Sequence, residues 1–367
     1  MRGFAISSLP PSTGRLRPLY GAALLALALA SAAGAQPWAP SATFHGDGTA
    51  GSSNGYNNIP NDPALNPTSA ITVEAWVNLS TPFATTETCR SLVGKNYHAS
   101  YWLGVCGSTV RFYSRGNGSF KDAGTVPGGE WTHIAVTSDG TTQKHYINGE
   151  LIQSFAVAGP PTASADPLWI GEDVSWPYSP TGSMTEVRLW NVARTIDQIR
   201  STINVQLTSP QAGLVAVWSM EGPADSLGNH NGTFVGNVTA LDFPVVANCG
   251  SSGLHSFCLD THFFATVSWR IGGPGSPTVG VGTTVSSPNP NSGVFWFFAS
   301  NSWELMVKLI DGCSLNNRFW VFSAATTNVF YRLTVIDVRT GTTRVYFNYP
   351  GPPAPAVTDT DAFATCP

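Results

Sequence analysis

Two pairs of carboxylates and one aromatic loop carry most of the chemistry that this 367-residue sequence could perform. Glu172 and Asp173 are adjacent, whereas Asp359 and Asp361 are two residues apart. Cleaving a glycosidic bond takes two carboxyl groups flanking that bond, one as acid and one as base or nucleophile. Neighbouring residues of a strand point to opposite faces, so Glu172 and Asp173 cannot converge in an extended segment. Asp359 and Asp361 have the right parity, but VTDTDAF lies beside the C-terminus and reads as a solvated turn. No Gly-x-Ser-x-Gly elbow occurs, and CGSSG at 249–253 is the nearest string. His-Glu-x-x-His, P-loop and dinucleotide fingerprints do not occur either. His133 and His145 fall in strand patterns, where hydrogen-bonded or solvated imidazoles are the ordinary outcome. The expectation is therefore a protein with no catalytic residue, not an enzyme. The competing reading is a hydrolase whose site has no sequence signature, because active sites are defined by geometry.

Aromatic rings offer a different chemistry. EDVSWPYSPTG places Trp176 and Tyr178 in a Pro-containing loop that cannot be a central strand. Flat rings near solvent can stack on the C–H faces of sugars while polar neighbours meet the hydroxyls. TAGSSNGYNNIPND supplies such neighbours in Tyr56, Asn57 and Asn58. These five residues are the candidate ligand site; the bland alternative is that Trp176 plugs a sheet edge.

The elements that must position these loops read as strands. ITVEAWVNL alternates, with Ile71, Val73, Ala75, Val77 and Leu79 on one face. Strands are predicted at 101–106, 110–114, 131–138, 143–147, 168–171, 184–190 and 214–220. Asn148-Gly149 reads as a type I′ hairpin turn, because both residues tolerate positive φ. ARTIDQIRSTI is the one convincing helix, with Ile196, Ile199 and Ile203 on a shared side. Many short strands separated by turn signals predict an all-β antiparallel sandwich.

Composition changes after Val246, so the chain divides at 40–246 and 249–367. The second unit has predicted strands at 263–271, 293–299, 303–310, 319–324, 329–338 and 343–348, which make a smaller β-sandwich or barrel. Within it, Phe295 to Phe298 form an aromatic run with apolar residues on both faces, which predicts a strand buried on both sides. The following strand pattern places Trp303 inward with Leu305, Val307 and Leu309.

The first 35 residues read as a secretory signal peptide: Arg15 and Arg17, a short apolar run, then a small-residue cleavage site. That run is too short to span a membrane, and no other span is found. Beyond that segment 15 basic side chains face 22 acidic ones, a balance of −7 that argues against nucleic acid as partner. Charged residues are 11% of the chain, about half the usual share, which suits a turn-rich exported β-protein. Export makes disulfides the default for Cys89, Cys106, Cys249, Cys258, Cys313 and Cys366.

GGEWTHIAVTSDGTTQKHYINGELI, GSMTEVRLWNVARTIDQI and GLVAVWSMEG, in that order, resemble the laminin-G-like, concanavalin-A-like jelly rolls over about residues 42–242. The resemblance implies two packed antiparallel sheets and a non-catalytic binding role toward extracellular glycan or protein, secreted or at the cell surface. A structural or self-assembling role is a further alternative. It also implies one calcium ion, with Asp47 and Asp173 as candidate ligands; Thr185 stands where such domains often carry an acid. The second unit is similar to an uncharacterised C-terminal β-domain of secreted bacterial proteins. With the chain so divided, Cys89 pairs with Cys106, and the other four cysteines leave three pairings, of which Cys249–Cys258 with Cys313–Cys366 is preferred.

Overall fold

The computed structural model describes residues 41–46, 54–80, 89–240, 249–250, 252–274, 276–286, 289–351 and 353–367. Residues 1–40, which include the expected signal peptide, and Asp47 lie outside them. The first fifteen strands are β1 (Ala42–His45), β2 (Gly55–Ile59), β3 (Ile71–Leu79), β4 (Cys89–Gly94), β5 (Tyr101–Cys106), β6 (Thr109–Ser114), β7 (Ser119–Thr125), β8 (Thr132–Ser138), β9 (Thr142–Ile147), β10 (Glu150–Ala156), β11 (Leu168–Ile170), β12 (Thr181–Trp190), β13 (Leu214–Trp218), β14 (Thr233–Gly236) and β15 (Val238–Ala240). Helix α1 (Ile196–Thr202) follows β12. They build sheet A, in the order β10-β9-β8-β3-β12-β1-β15 with β13 also on β12, and sheet B, in the order β14-β2-β11-β4-β5-β6-β7. All pairings are antiparallel.

Period-two alternation explains the core. Ile71, Val73, Ala75, Val77 and Leu79 of β3 meet Leu103, Phe112, Ile134 and Val136 in one buried cluster between the sheets. The other face of β3, with Thr72, Glu74 and Trp76, is also fully buried. Helix α1 covers part of it, begun by a capping box between Thr195 and Gln198. Glu74 there accepts hydrogen bonds from Arg194 Nη1 (2.8 Å) and Trp190 Nε1 (2.9 Å), and Arg188 holds Glu186 at 2.8 Å.

The rest of the chain forms β16 (Ser256–Leu259), β17 (Phe263–Arg270), β18 (Val279–Val281), β19 (Thr283–Val285), β20 (Ser292–Trp296), β21 (Leu305–Asp311), β22 (Phe319–Ala325), β23 (Phe330–Asp337), β24 (Thr343–Asn348) and β25 (Val357–Phe363). Sheet C runs β16-β17-β23-β24 with β18 on β17, and sheet D runs β19-β20-β21-β22-β25. Their facing sides share a core around Phe263, Phe295, Val307, Val321 and Leu333. Disulfides join Cys89–Cys106, Cys249–Cys258 and Cys313–Cys366.

Sheet C packs its outer side on sheet A. Val345 and Phe347 of β24 meet Trp76, Trp131 and Ile203. Arg270 grips Glu150 with two hydrogen bonds of 2.7 and 2.6 Å, and Arg200 stacks over Tyr349 at 3.7 Å. Gly149, at φ +72°, lets the β9–β10 turn slide under Tyr349: an added Cβ would lie 2.4 Å from its hydroxyl oxygen. Gly149→Ala is expected to cost about 1–3 kcal/mol through strained backbone and overpacking, read by chemical unfolding. A loss under a few tenths would show that this turn is not pinned.

Three sequence expectations are corrected here. The aromatic run is buried on one side only: Phe295 and Phe297 enter the core, Val294 and Trp296 are half-buried, and Phe298 is 48% exposed. Trp303 is 58% exposed rather than inward, because the turn closed by Ala299 and Ser302 runs to Glu304, so β21 parity does not reach it. VTDTDAF is strand β25 rather than a turn, since Ala362 and Phe363 are buried and the segment pairs with β22. Asp359 accepts from the Tyr346 hydroxyl at 2.8 Å and Asp361 pairs with Arg318, so neither stands as a free acid.

Candidate functional site

The outer face of sheet B carries an aromatic pocket. Cys89 of β4 lies directly opposite Cys106 of β5, and their disulfide forms part of its floor. Register then aligns Trp102 of β5, Tyr113 of β6 and Phe120 of β7 across the sheet. Trp102 lies over Gly104, where a Cβ would come within 2.3 Å of the ring, so a residue without a side chain is needed there. The Trp102 indole donates to Ser91 Oγ at 2.8 Å, and Ser91 Oγ donates to the Trp176 carbonyl at 3.0 Å.

Two loops complete the walls. Tyr97, between β4 and β5, stands edge-on to Trp176 at 6.1 Å and lies against Phe120 at 5.7 Å. Trp176 and Tyr178 stack at 5.0 Å with 29° between the planes. The enclosed volume is about 160 Å³, lined by Cys89, Tyr97, Trp102, Arg111, Phe120 and Trp176.

Asp173 fastens both loops. Its carboxylate accepts from the backbone N–H of Tyr97 (3.1 Å) and of Ser175 (2.8 Å), and its carbonyl accepts from Trp176 N at 3.0 Å. Glu172 likewise accepts from Asn54 N at 2.9 Å and from the Ser179 hydroxyl. A calcium ligand needs lone pairs turned toward the cation, whereas these carboxylates are turned toward donors. The Asp173 carboxylate is thus engaged by backbone donors, and Asp47 lies outside the described residues; among the described residues no three His, Cys, Asp or Glu side chains gather into a group.

Burial pushes the Asp173 carboxyl up to about 6, outweighing the amide donors. Its folded value thus exceeds the unfolded one, so the native state binds the extra proton between about pH 4 and pH 6. Stability from this group falls as pH rises through that window, by about 3 kcal/mol in total. Asp173→Asn is expected to flatten the stability profile there. An unchanged profile in urea unfolding at pH 4, 5 and 6 would remove Asp173 as its source.

The residues expected from sequence separate into three places. Trp176 is in the pocket wall, and Tyr178 stacks on it without lining the cavity. Tyr56 and Asn58 lie elsewhere on sheet B, where Tyr56 stacks on Trp169 at 4.0 Å and Asn58 accepts from the Trp169 indole at 2.9 Å. Asn57 is a correction: β2 alternation turns it inward, where it is fully buried and donates to the Pro223 carbonyl at 3.0 Å. It cannot meet a ligand at the surface. Tyr97, Trp102, Arg111, Tyr113 and Phe120 escaped the sequence reading, because an outward ring on a strand looks like a core ring until register is known. Pairing β5, β6 and β7 in register would have brought Trp102, Tyr113 and Phe120 together.

Solved structures of similar architecture include a Bacteroides ovatus protein named as a candidate carbohydrate-binding protein, with 21% identity and a TM-score of 0.46 over 57% of this chain. The match spans 62% of that protein's length. The heptameric SAP-like pentraxin of Limulus polyphemus aligns with 14% identity and a TM-score of 0.42, over 56% of this chain and 95% of its own. The CBM40 of Ruminococcus gnavus IT-sialidase, solved with α2,3-sialyllactose, aligns with 16% identity and a TM-score of 0.31, over 37% and 83% of the two chains. No curated protein matches the sequence. The two-sheet architecture around the pocket agrees with the match of residues 50–200 to the family model of the concanavalin A-like lectin/glucanases superfamily.

Proposed function

We propose that this protein is an exported, non-catalytic binding protein that holds extracellular glycan in the aromatic pocket of sheet B. The observation that carries this reading is the cavity between Tyr97, Trp102, Phe120 and Trp176, open at the surface and walled by rings. The rings pack on one another with centroids 5.0–6.1 Å apart, and the surfaces that Tyr97, Trp102, Phe120 and Trp176 leave uncovered toward the cavity are available to C–H groups. Asp173 and Ser91 tie the backbone of Tyr97 and Trp176 to the sheet and so restrain the loops that carry these rings. A preformed pocket loses less entropy on binding. No carboxylate lines the cavity among the described residues, which favours holding a ligand over cleaving it. A match to a lectin and glucanase superfamily supports the same class of ligand.

Secretion rests on the leader-like first 35 residues and on three disulfides, which persist in oxidising compartments. Among the described residues no helix is long and apolar enough to cross a membrane.

The test is retention on a panel of soluble and immobilised polysaccharides, run in chelator and again in millimolar-range calcium. Retention by at least one polysaccharide in both conditions is expected, with the sugar chain unshortened afterwards. Retention by none, or shortening of a retained chain, would contradict the reading.

A further inference from the structure

Arg111 is the only charged residue lining the cavity among the described residues, and its charge is already used. Its Nε and Nη2 donate to the two oxygens of Asp122 at 2.7 Å each, a bidentate pair across β6 and β7. Its remaining nitrogen, Nη1, points to Cys89 Sγ at 3.5 Å, and the guanidinium lies over Phe120 at 5.2 Å. A planar guanidinium recognises a carboxylate best with two parallel N–H groups, and Asp122 occupies that fork. The pair is partly exposed, with side-chain exposures of 27% for Arg111 and 42% for Asp122, so Asp122 is an anion fixed beside Arg111, itself outside the residues that line the cavity.

Resting on the glycan reading above, we propose that Asp122 sets the specificity of the pocket: it occupies Arg111 and excludes acidic sugars, so the ligand is an uncharged sugar. A uronate or sialic acid entering the pocket meets Arg111 already paired with Asp122, and no other cation among the described lining residues. Its charge is desolvated against rings without a compensating partner, which costs more than the stacking returns. A neutral pyranose keeps the stacking and meets no such penalty. The same geometry assigns Arg111 a second role, since its guanidinium backs Phe120 and helps hold that ring as a wall.

The variant Asp122→Asn tests this by gain of function. It keeps the size and one acceptor of the side chain but frees half of the Arg111 fork. The probes are matched oligosaccharides that differ only in oxidation at C6: galactose and galacturonate oligomers, and glucose and glucuronate oligomers, titrated by calorimetry. Wild type is expected to bind a neutral member and to bind its acidic counterpart at least about tenfold more weakly. In Asp122→Asn the acidic counterpart should gain about tenfold, and more at low salt, while the neutral member changes little. Arg111→Gln combined with Asp122→Asn should remove that gain, and thermal melting reports whether each variant is folded. An acidic oligomer bound by wild type as tightly as its neutral partner overturns the specificity proposal and leaves the glycan reading standing. No binding of any member by wild type or variant overturns the specificity proposal, and retention on none of the polysaccharide panel as well overturns the glycan reading. If Asp122→Asn unfolds, Asp122→Ser is titrated in its place, and absence of the acidic gain there counts against the proposal.

Discussion

Glu74→Ala is expected to lower the stability of this protein by about 3–5 kcal/mol, the largest effect of any single substitution considered. Glu74 is fully buried on the outer side of sheet A, beside α1 and next to Trp76, the residue of the same strand face that meets sheet C. It accepts from Arg194 and from the Trp190 indole, with Arg188 at 3.5 Å and His133 at 3.6 Å. Burial works to raise its carboxyl, but His133, Arg188 and Arg194 together outweigh this and hold it below the usual carboxylate range. Removing the carboxylate leaves the Trp190 indole N–H without an acceptor and the buried Arg194 charge without its counterion, although Arg194 still donates to the Gln198 carbonyl and the Thr202 hydroxyl; the uncompensated charge accounts for most of the cost. Because the folded value is depressed, the contribution is complete above the unfolded pKa and is lost as pH falls below it. The loss should appear in urea unfolding at pH 7 and shrink in strong acid. Glu74→Gln should cost less, because one acceptor remains. A change under about 1 kcal/mol for Glu74→Ala would show that water reaches this layer and replaces the carboxylate.

That buried layer shows where sequence reasoning reached and where it stopped. Alternation in ITVEAWVNL located β3 and named its inward residues, all of which lie in the core. Asn148 and Gly149 have the positive φ that the hairpin reading required. What alternation could not show is that the second face of β3 is buried as well, because its cover comes from β24, more than 200 residues later. Parity misled in the aromatic run for a related reason: both faces of β20 are apolar, yet only one meets sheet C. The pocket was legible only through Trp176 and Tyr178. Its other walls come from β5, β6, β7 and the Tyr97 loop, and register rather than local pattern brings them together. Asn57 failed because a loop-like sequence, GYNNI, folded as a strand and acquired an inside.

Trp176→Ala is expected to weaken glycan binding by about 30-fold or more while leaving the fold intact. Truncating a ring that walls a pocket typically costs about 2 kcal/mol or more of binding free energy, and Trp is prominent among such anchors. The protein should tolerate the change, because Trp176 sits on a surface loop whose backbone stays tied by Asp173 and by Ser91, which donates from its hydroxyl to the residue 176 carbonyl. Trp102→Ala would also empty the pocket but would disturb the sheet, since its indole anchors on Ser91. Tyr56→Ala is the matched control, a ring on the same sheet whose partner is Trp169 rather than the pocket.

The most direct measurement is therefore a calorimetric titration of one retained oligosaccharide into wild type, Trp176→Ala and Tyr56→Ala, with melting curves recorded for all three. The account predicts unaltered melting, binding by wild type and Tyr56→Ala within about twofold of each other, and a loss of at least about 30-fold for Trp176→Ala. Equal affinity in wild type and Trp176→Ala, or a loss confined to Tyr56→Ala, would contradict the claim that glycan is held in the pocket of Tyr97, Trp102, Phe120 and Trp176.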